Sequence, residues 1–358
     1  MQKVNNYIIS LKDPSGNVGG PKANMDNIKF LKKLGFNEYW LDYGWKPGFW
    51  WHYSIWDQIT GRINKFKMAY IALPHFFHQH PDIDNIIIQY PLYSNKIVKL
   101  IHDTVKKYSH AKLFFIIHDV EAIRLYADEP DRGQAELDSF NLADGIIVHN
   151  EKMRQWLATN GVTVPLVNLG IFDYDNPQPL QKFTDYDKTI CYAGNLIDAK
   201  FLNEYHQKSK LTVFGPNPAE HYNDSIDYEG QYTPEELPKH LTQNFGLVWH
   251  GTSADTCNGT FGKYLRYNNP HKTSLYLSSG LPVIIWDQAA LAPFVEENGI
   301  GITVSSLNEI DEHLNAISPA EYQQMHDNVK KIAEKMRSGY YVTTAIDRMV
   351  EKTNAKSK

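Results

Sequence analysis

Five apolar residues in unbroken succession, Leu113-Phe114-Phe115-Ile116-Ile117, run straight into His118-Asp119-Val120-Glu121. No other stretch constrains the fold of this chain as much. A strand with one face in water alternates apolar and polar side chains, whereas a continuous apolar run has both faces buried, as in a parallel sheet covered by helices. The abrupt polar ending marks the carboxyl edge of such a sheet, where open α/β folds bind their ligands. Gly145-Ile146-Ile147-Val148 followed by His149-Asn150 repeats the pattern. Between such runs the period changes to that of helices: Met25, Ile28, Leu31 and Leu34 in one stretch, and Ile97, Val98, Ile101 and Val105 within Ser94 to Lys107. The alternation predicts an α/β chain, doubly wound and mostly parallel.

At 358 residues the chain is long for a single core. The polar, proline-bearing stretch from Asp173 through Asn176-Pro177-Gln178-Pro179 to Asp187 reads as a linker. It separates a Rossmann-like domain over 1–172 from a second over 188–318, with C-terminal helices and a lysine-rich, frayed tail over 319–358. In the second half, strands are expected at Thr189 to Ala193, Leu211 to Phe214 and Phe245 to His250, with a helix around Phe201 to Gln207. Thr233-Pro234-Glu235-Glu236 has the form of a capping box opening a further helix, and Gly251 to Gly262 reads as a loop.

Composition removes several classes of function. Hydrophobic residues at 42% and charged residues at 22% describe a globular protein. A net charge of −5 supplies no general field for nucleic acid. No apolar run approaches the roughly 20 residues of a membrane span, and the short run at Tyr7 to Leu11 does not make a signal segment. Cys191 and Cys257 form neither a disulfide framework nor a zinc spacing. A cytoplasmic location is expected.

Two stretches invite a ligand. Near the start, Asp13 to Lys22 carries Gly16, Gly19 and Gly20 in a tight loop between strand and helix, but fits neither G-x-G-x-x-G nor a P-loop. Such a loop either touches ligand or covers a cleft. Later, Asn269-Pro270-His271-Lys272-Thr273-Ser274 opens a short helix that Gly280 and Pro282 end. Asn269 suits the N-cap and Pro270 the first helical position, leaving Lys272 and free N–H groups to attract an anion. The aromatic run Trp45, Phe49, Trp50, Trp51, His52, Tyr53 and Trp56 is expected to pack in the core or between subunits, with sugar stacking as the alternative.

Two Rossmann-like domains facing across a cleft, without a dinucleotide fingerprint, fit a GT-B glycosyltransferase; on fold alone they also fit a nucleotide-sugar epimerase or a periplasmic-type binding protein. The motifs narrow this. Gly19-Gly20-Pro21-Lys22-Ala23, Gln89-Tyr90-Pro91, Ile117 to Arg124, Tyr192-Ala193-Gly194-Asn195-Leu196 and Asn269 to Lys272 occur in order along nearly the whole chain. In this set the chain resembles the bacterial GT-B group that contains the second-step glucosyltransferase of serine-rich adhesin glycosylation and related galactofuranosyltransferases.

The resemblance implies a hexosyltransferase, glucose favoured, acting from a UDP-sugar on a sugar acceptor such as N-acetylglucosamine on a serine-rich cell-surface glycoprotein. A galactofuranosyltransferase of exopolysaccharide assembly and a non-catalytic glycosylation chaperone are the alternatives. It implies that Gly19, Gly20, Gly194, Asn195 and the segment Asn269 to Ser274 lie about the donor phosphates. Lys272 would be their charge partner and Tyr232 would lie near uridine. Where many relatives carry a basic residue after the glycine, this chain has Asn195. Self-association into a homo-oligomer is also implied.

An inverting transfer needs a base beside the acceptor hydroxyl. Asp119 and His118 are the candidates, with Glu121 beside them; capping and loop positioning are the competing roles, and His149 and Asn150 are second choices. Asp82-Ile83-Asp84, Asp173-Tyr174-Asp175 and Asp185-Tyr186-Asp187 match D-x-D but fall in polar stretches, so they are read as solvated loops. No metal is required on this reading, and UDP-sugar enters as a co-substrate.

Overall fold

The computed structural model describes residues 5–12, 19–44, 54–182 and 185–355. The chain divides into two compact units. Met1–Val148, Arg154–Leu169 and Val342–Lys358 form the first; His149–Met153 and Gly170–Tyr341 form the second.

The first unit follows the order β1 (Asn6–Leu11), α1 (Gly19–Lys33), β2 (Asn37–Leu41), α2 (Ile55–Lys67), α3 (Leu73–Gln79), β3 (Asn85–Tyr90), α4 (Asn95–Tyr108), β4 (Lys112–Ile117), α5 (Glu121–Arg124), α6 (Pro130–Phe140), β5 (Gly145–Val148), α7 (Glu151–Thr159) and β6 (Leu166–Asn168). Its strands form one sheet in the order β2-β1-β3-β4-β5-β6. Every pairing is parallel. The continuous apolar run behaves as its composition requires: Leu113 to Ile117 are all buried. The predicted face of α4, Ile97, Val98, Ile101 and Val105, is buried too. Because β1 has β2 on one side and β3 on the other, the winding reverses between β1 and β3, which opens a crevice at their carboxyl ends.

The second unit carries β7 (Ile190–Ala193), β8 (Leu211–Phe214), β9 (Ile226–Tyr228), β10 (Phe245–Val248), α8 (Gly259–Tyr264), α9 (His271–Ser279), β11 (Val283–Trp286), α10 (Ala292–Asn298), β12 (Gly301–Val304), α11 (Ile310–Ala316) and α12 (Pro319–Ser338). Its sheet runs β12-β11-β10-β7-β8-β9, again wholly parallel. That order places the reversal between β7 and β10, as in a dinucleotide-type Rossmann sheet. Gly246 lets β10 lie against α9, since a Cβ there would run into the Tyr276 ring. The final helix, α13 (Tyr340–Ala355), follows Gly339, whose φ of 79° ends α12.

Several local expectations change. Residues 19–22, expected in a glycine loop, are the first turn of α1. The Thr233 capping box leads only to a turn and a 3-10 segment, Leu237–Lys239, because Pro238 withholds the N–H that would continue a helix. The stretch around Phe201 forms 3-10 turns over Lys200–Glu204, and the expected loop before Gly262 contains α8. Residues 173–176, expected in a solvated linker, include buried Asp173, Tyr174 and Asn176; Asp173 accepts the Tyr341 N–H at 3.1 Å. The tail is not frayed at Glu351: α13 continues to Ala355, and Thr353 is buried. Trp45 and Phe49 to Tyr53 lie outside the described residues. Trp56, the one residue of that aromatic run that is described, is 76% exposed in the single chain and so lies outside the core. Among the described residues no helix is long and apolar enough to cross a membrane.

Candidate functional site

In the second unit the site forms where the sheet order reverses. The chain leaves β7 at Gly194 and leaves β10 at Trp249-His250, and α9 delivers Lys272 between them. The Lys272 stem is half-buried and its Nζ is out of solvent with no hydrogen-bond partner among the described residues. Nζ lies 4.0 Å from the centre of the Tyr192 ring, and a Cβ on Gly194 would come to 3.4 Å of it. Burial lowers Lys272 to about 7, although the Cys257 and Asp198 charges oppose that shift. The surrounding groups respond in kind. Burial, then the Lys272 charge, drives His250 well below an ordinary imidazole, and burial pushes the Cys257 thiol up to about 12. A cation on an aromatic face, without a counter-ion in hydrogen-bond contact among the described residues, is poised for an anion.

Not all of the predicted donor segment faces this point. Asn269 is not the N-cap: its side-chain amide donates to the carbonyls of His149 at 2.9 Å and Gly170 at 3.0 Å. Its Oδ1 accepts from Asn150 at 2.7 Å, and its N–H goes to His149 Nδ1 at 2.9 Å. With both ends of that amide engaged, Pro270 becomes the N-cap, at ψ 130°, and α9 begins at His271. His271 packs on Tyr174 with ring centres 5.1 Å apart. Ser274 donates to Phe172 O at 2.8 Å. The Thr273 hydroxyl is buried and has no hydrogen-bond partner among the described residues. His149 and Asn150, the second choices for the base, hold Asn269 at the start of α9.

Gly194 donates to Phe214 O at 3.1 Å, and Gly215, at φ 140°, could not carry a side chain because its Cβ would strike Gly194 O. Asn195 is exposed and bonds Asp198 at 3.2 Å and Asn217 at 2.8 Å. Tyr232 stacks on His240 at 3.6 Å, beyond the end of β8. The predicted residues Gly194, Lys272 and Tyr232 thus belong to one unit. Gly19 and Gly20 belong to the other, where they open α1.

In the first unit, polar side chains gather at the carboxyl ends of β1, β3 and β4. Gln89 donates to Ser10 Oγ at 2.6 Å and to Asn24 O at 3.0 Å. Its Oε1 accepts from Asn27 at 3.0 Å and lies 3.0 Å from His118 Nε2. The Asn24 carbonyl can only accept, so it fixes the Gln89 amide orientation. His118 Nε2 must then be the donor, and its lone pair lies on Nδ1. Burial holds the imidazole down to about 4, so it is neutral at neutral pH.

The guanidinium of Arg124 forks between the other two candidates. Nη1 donates to Asp119 at 2.8 Å, while Nε and Nη2 donate to Glu121 at 3.1 Å and 2.5 Å. Buried Glu136 anchors the turn: its carboxylate accepts the N–H groups of Glu121 and Ala122 at 3.1 Å and 2.6 Å and the Tyr90 hydroxyl at 2.9 Å. Desolvation raises its pKa. Lys22 forms a buried ion pair with Asp26 one helical turn on. A cavity of about 470 Å³ opens beside this region, lined in part by Lys12, Asn24, Trp40 and Asp42. Among the described residues no three His, Cys, Asp or Glu are grouped to hold a metal ion.

Sequence reasoning assigned no role to Arg124, Glu136, Cys257 or His250. His250 had a usable signal, a polar residue directly after an apolar strand, as at His118. Glu136 had none, because Ala135-Glu136-Leu137 reads like any helix surface.

Two family models match in tandem: glucosyltransferase 3-like, N-terminal domain, over residues 5–171, and its C-terminal domain over 190–349. The chain is 33% identical over 306 residues to the β-1,6-galactofuranosyltransferase WbbI of Escherichia coli (strain K12), covering 83% of this chain and 87% of that protein. It is 26% identical over 341 residues to glucosyltransferase 3 of Streptococcus gordonii, covering 95% and 96%. In fold it is similar to an α-glucosyltransferase solved in complex with UDP, with a TM-score of 0.58 at 10% identity over 98% of this chain and 99% of that one.

Proposed function

The chain belongs to the glucosyltransferase 3-like family and is a glycosyltransferase of the GT-B fold, and from that premise we propose that it transfers a hexose from a UDP-sugar to a sugar acceptor. The observation that carries this reading is Lys272. A buried ammonium without a hydrogen-bond partner among the described residues, at the winding reversal of a Rossmann sheet, is matched by a diphosphate. Lys272, in the first turn of α9, takes the diphosphate charge without a metal ion. Gly194 allows the phosphates to approach the backbone, and the Tyr232–His240 stack offers a face for the base. These contacts stabilise the UDP leaving group as the sugar–phosphate bond breaks and the acceptor oxygen forms the new glycosidic bond.

The acceptor chemistry falls to the first unit. His118 is the better base there, since its imidazole is neutral with its lone pair on Nδ1, whereas Asp119 and Glu121 already share a cation. The cavity beside Trp40 is the proposed seat of the acceptor sugar, with the indole as its apolar platform.

For the donor, the higher identity to a galactofuranosyltransferase favours UDP-galactofuranose. The longer match to a glucosyltransferase supports a second reading, glucose onto N-acetylglucosamine of a glycoprotein. UDP release is to be measured with each donor against N-acetylglucosaminyl peptide and a bacterial polysaccharide acceptor, with and without chelator. Turnover with one donor, unchanged in chelator, is expected. Absence of turnover with every donor, in a sample that binds UDP, would leave the fold in a non-catalytic role.

A further inference from the structure

Helix α2 is amphipathic but faces the wrong way for a core helix, because none of its residues is buried. Its polar side meets the protein. A Cβ on Gly61 would lie 3.7 Å from Tyr43 O, one on Gly44 would meet the Asn64 amide, and Lys65 Nζ sits 4.6 Å from the Tyr43 ring centre. At about 100° per residue, Ile55, Ile59, Ile63, Phe66 and Trp56 fall within a stripe about 100° wide. They and Tyr70, whose ring lies 4.9 Å from that of Phe66, are between 41% and 76% exposed.

Arg62 and Lys67 lie about 20° outside the two edges of the stripe. The one acid of the helix, Asp57, is occupied in a capping box with Ser54. An apolar stripe of this kind, with an aromatic residue at each end, is costly to leave in water. The charge pattern identifies what covers it. The chain carries a net charge of −5, yet this face has a cation along both margins. Pairing two copies stripe to stripe would bring those cations together. An anionic lipid surface instead takes the apolar side chains between acyl chains and pairs the flanking cations with headgroups.

We propose that α2 docks this enzyme peripherally on an anionic membrane surface, with the stripe lying in the interface plane. The proposal rests on none of the donor or acceptor assignments. It is tested by co-sedimenting the full chain with vesicles of phosphatidylcholine alone and of phosphatidylcholine mixed with phosphatidylglycerol. Binding is expected to the mixed vesicles only, and salt should release it. Arg62→Gln and Lys67→Gln should each weaken partitioning about five-fold, and Phe66→Ser or Ile63→Ser at least about ten-fold. All four residues are exposed, and retained UDP binding in the second unit checks that each variant is folded. The proposal fails if neither vesicle binds, or if both bind alike and the cation variants change nothing. It fails equally if the wild type self-associates in solution and Phe66→Ser abolishes that association, which would make a second copy the occupant.

Discussion

Lys272 makes donor binding a proton-linked event. Burial holds it at about 7 in the empty enzyme, so it is charged below that pH and neutral above it. A UDP-sugar diphosphate keeps its charge across this range and binds the protonated form. Affinity should be highest below about pH 7 and fall up to ten-fold per pH unit above it, with uptake of a proton on binding. The sign reverses for stability. An unfolded lysine keeps its proton to near 10.5, so between about 7 and 10.5 the unfolded chain holds more protons, and the unliganded fold gains stability as pH rises. Titration calorimetry in buffers of different ionisation enthalpy reads the proton, and a flat pH profile would refute the linkage. Lys272→Met should abolish both trends and weaken UDP-sugar binding by about 100-fold, the scale of a charge-assisted contact. At the other unit, His118→Asn should lower kcat by about 100- to 10,000-fold with UDP binding unchanged. If Asp119→Asn is the variant that does so, the base has been misassigned. Glu136→Ala should cost about 3 kcal/mol, because two buried N–H groups and a tyrosine hydroxyl lose their acceptor.

At the scale of elements, the segment that opens α9 shows what sequence can and cannot specify. Gly280 was legible as the residue after the helix because only glycine accepts its φ of 100° without strain. Lys272 was legible as a cation in the first turn. Asn269 looked like the N-cap because asparagine caps helices, but here three partners remote in sequence, His149, Asn150 and Gly170, take its amide. Asn269→Ala should therefore act on the start of the helix rather than on ligand contact. On the order of 3 kcal/mol of stability should be lost, and UDP binding should weaken only as far as α9 shifts. Full stability with lost binding would return Asn269 to the ligand. The strands were legible because Leu113 to Ile117 and their counterparts are buried on both faces. The order of the strands, and so the position of each winding reversal, was not, because parallel partners are chosen by packing between distant elements. The inverted face of α2 was hidden for a similar reason. Its apolar period matches that of a core helix, and only Tyr43 and Gly44 packing on its polar side reveal the orientation.

On the scale of the whole molecule, the path of the chain couples its last residues to its first unit. The sequence read residues 319–358 as C-terminal helices and a tail; Val342–Lys358 belongs to the unit that also contains β1 to β6. Within that unit Val342, Ile346 and Met349 are buried, and a Cβ on Gly145 of β5 would run into the Met349 sulfur. Lys352 donates to Leu166 O at 3.1 Å and Arg348 to Asn168 O at 3.1 Å, so α13 also covers β6. Each large apolar side chain withdrawn from water contributes roughly 1.5–3 kcal/mol, and net stabilities of domains are about 5–15 kcal/mol. Ending the chain after Tyr341 should therefore unfold the N-terminal unit while sparing the second, whose own residues close at Tyr341. Hydrogen exchange should show protection lost across β4, β5 and β6 and retained across β7, β10 and β11. UDP should still bind, and glycosyl transfer should cease. If β4 to β6 stay protected in the truncated chain, the first unit is self-sufficient and α13 is a covering, not a component, of its core.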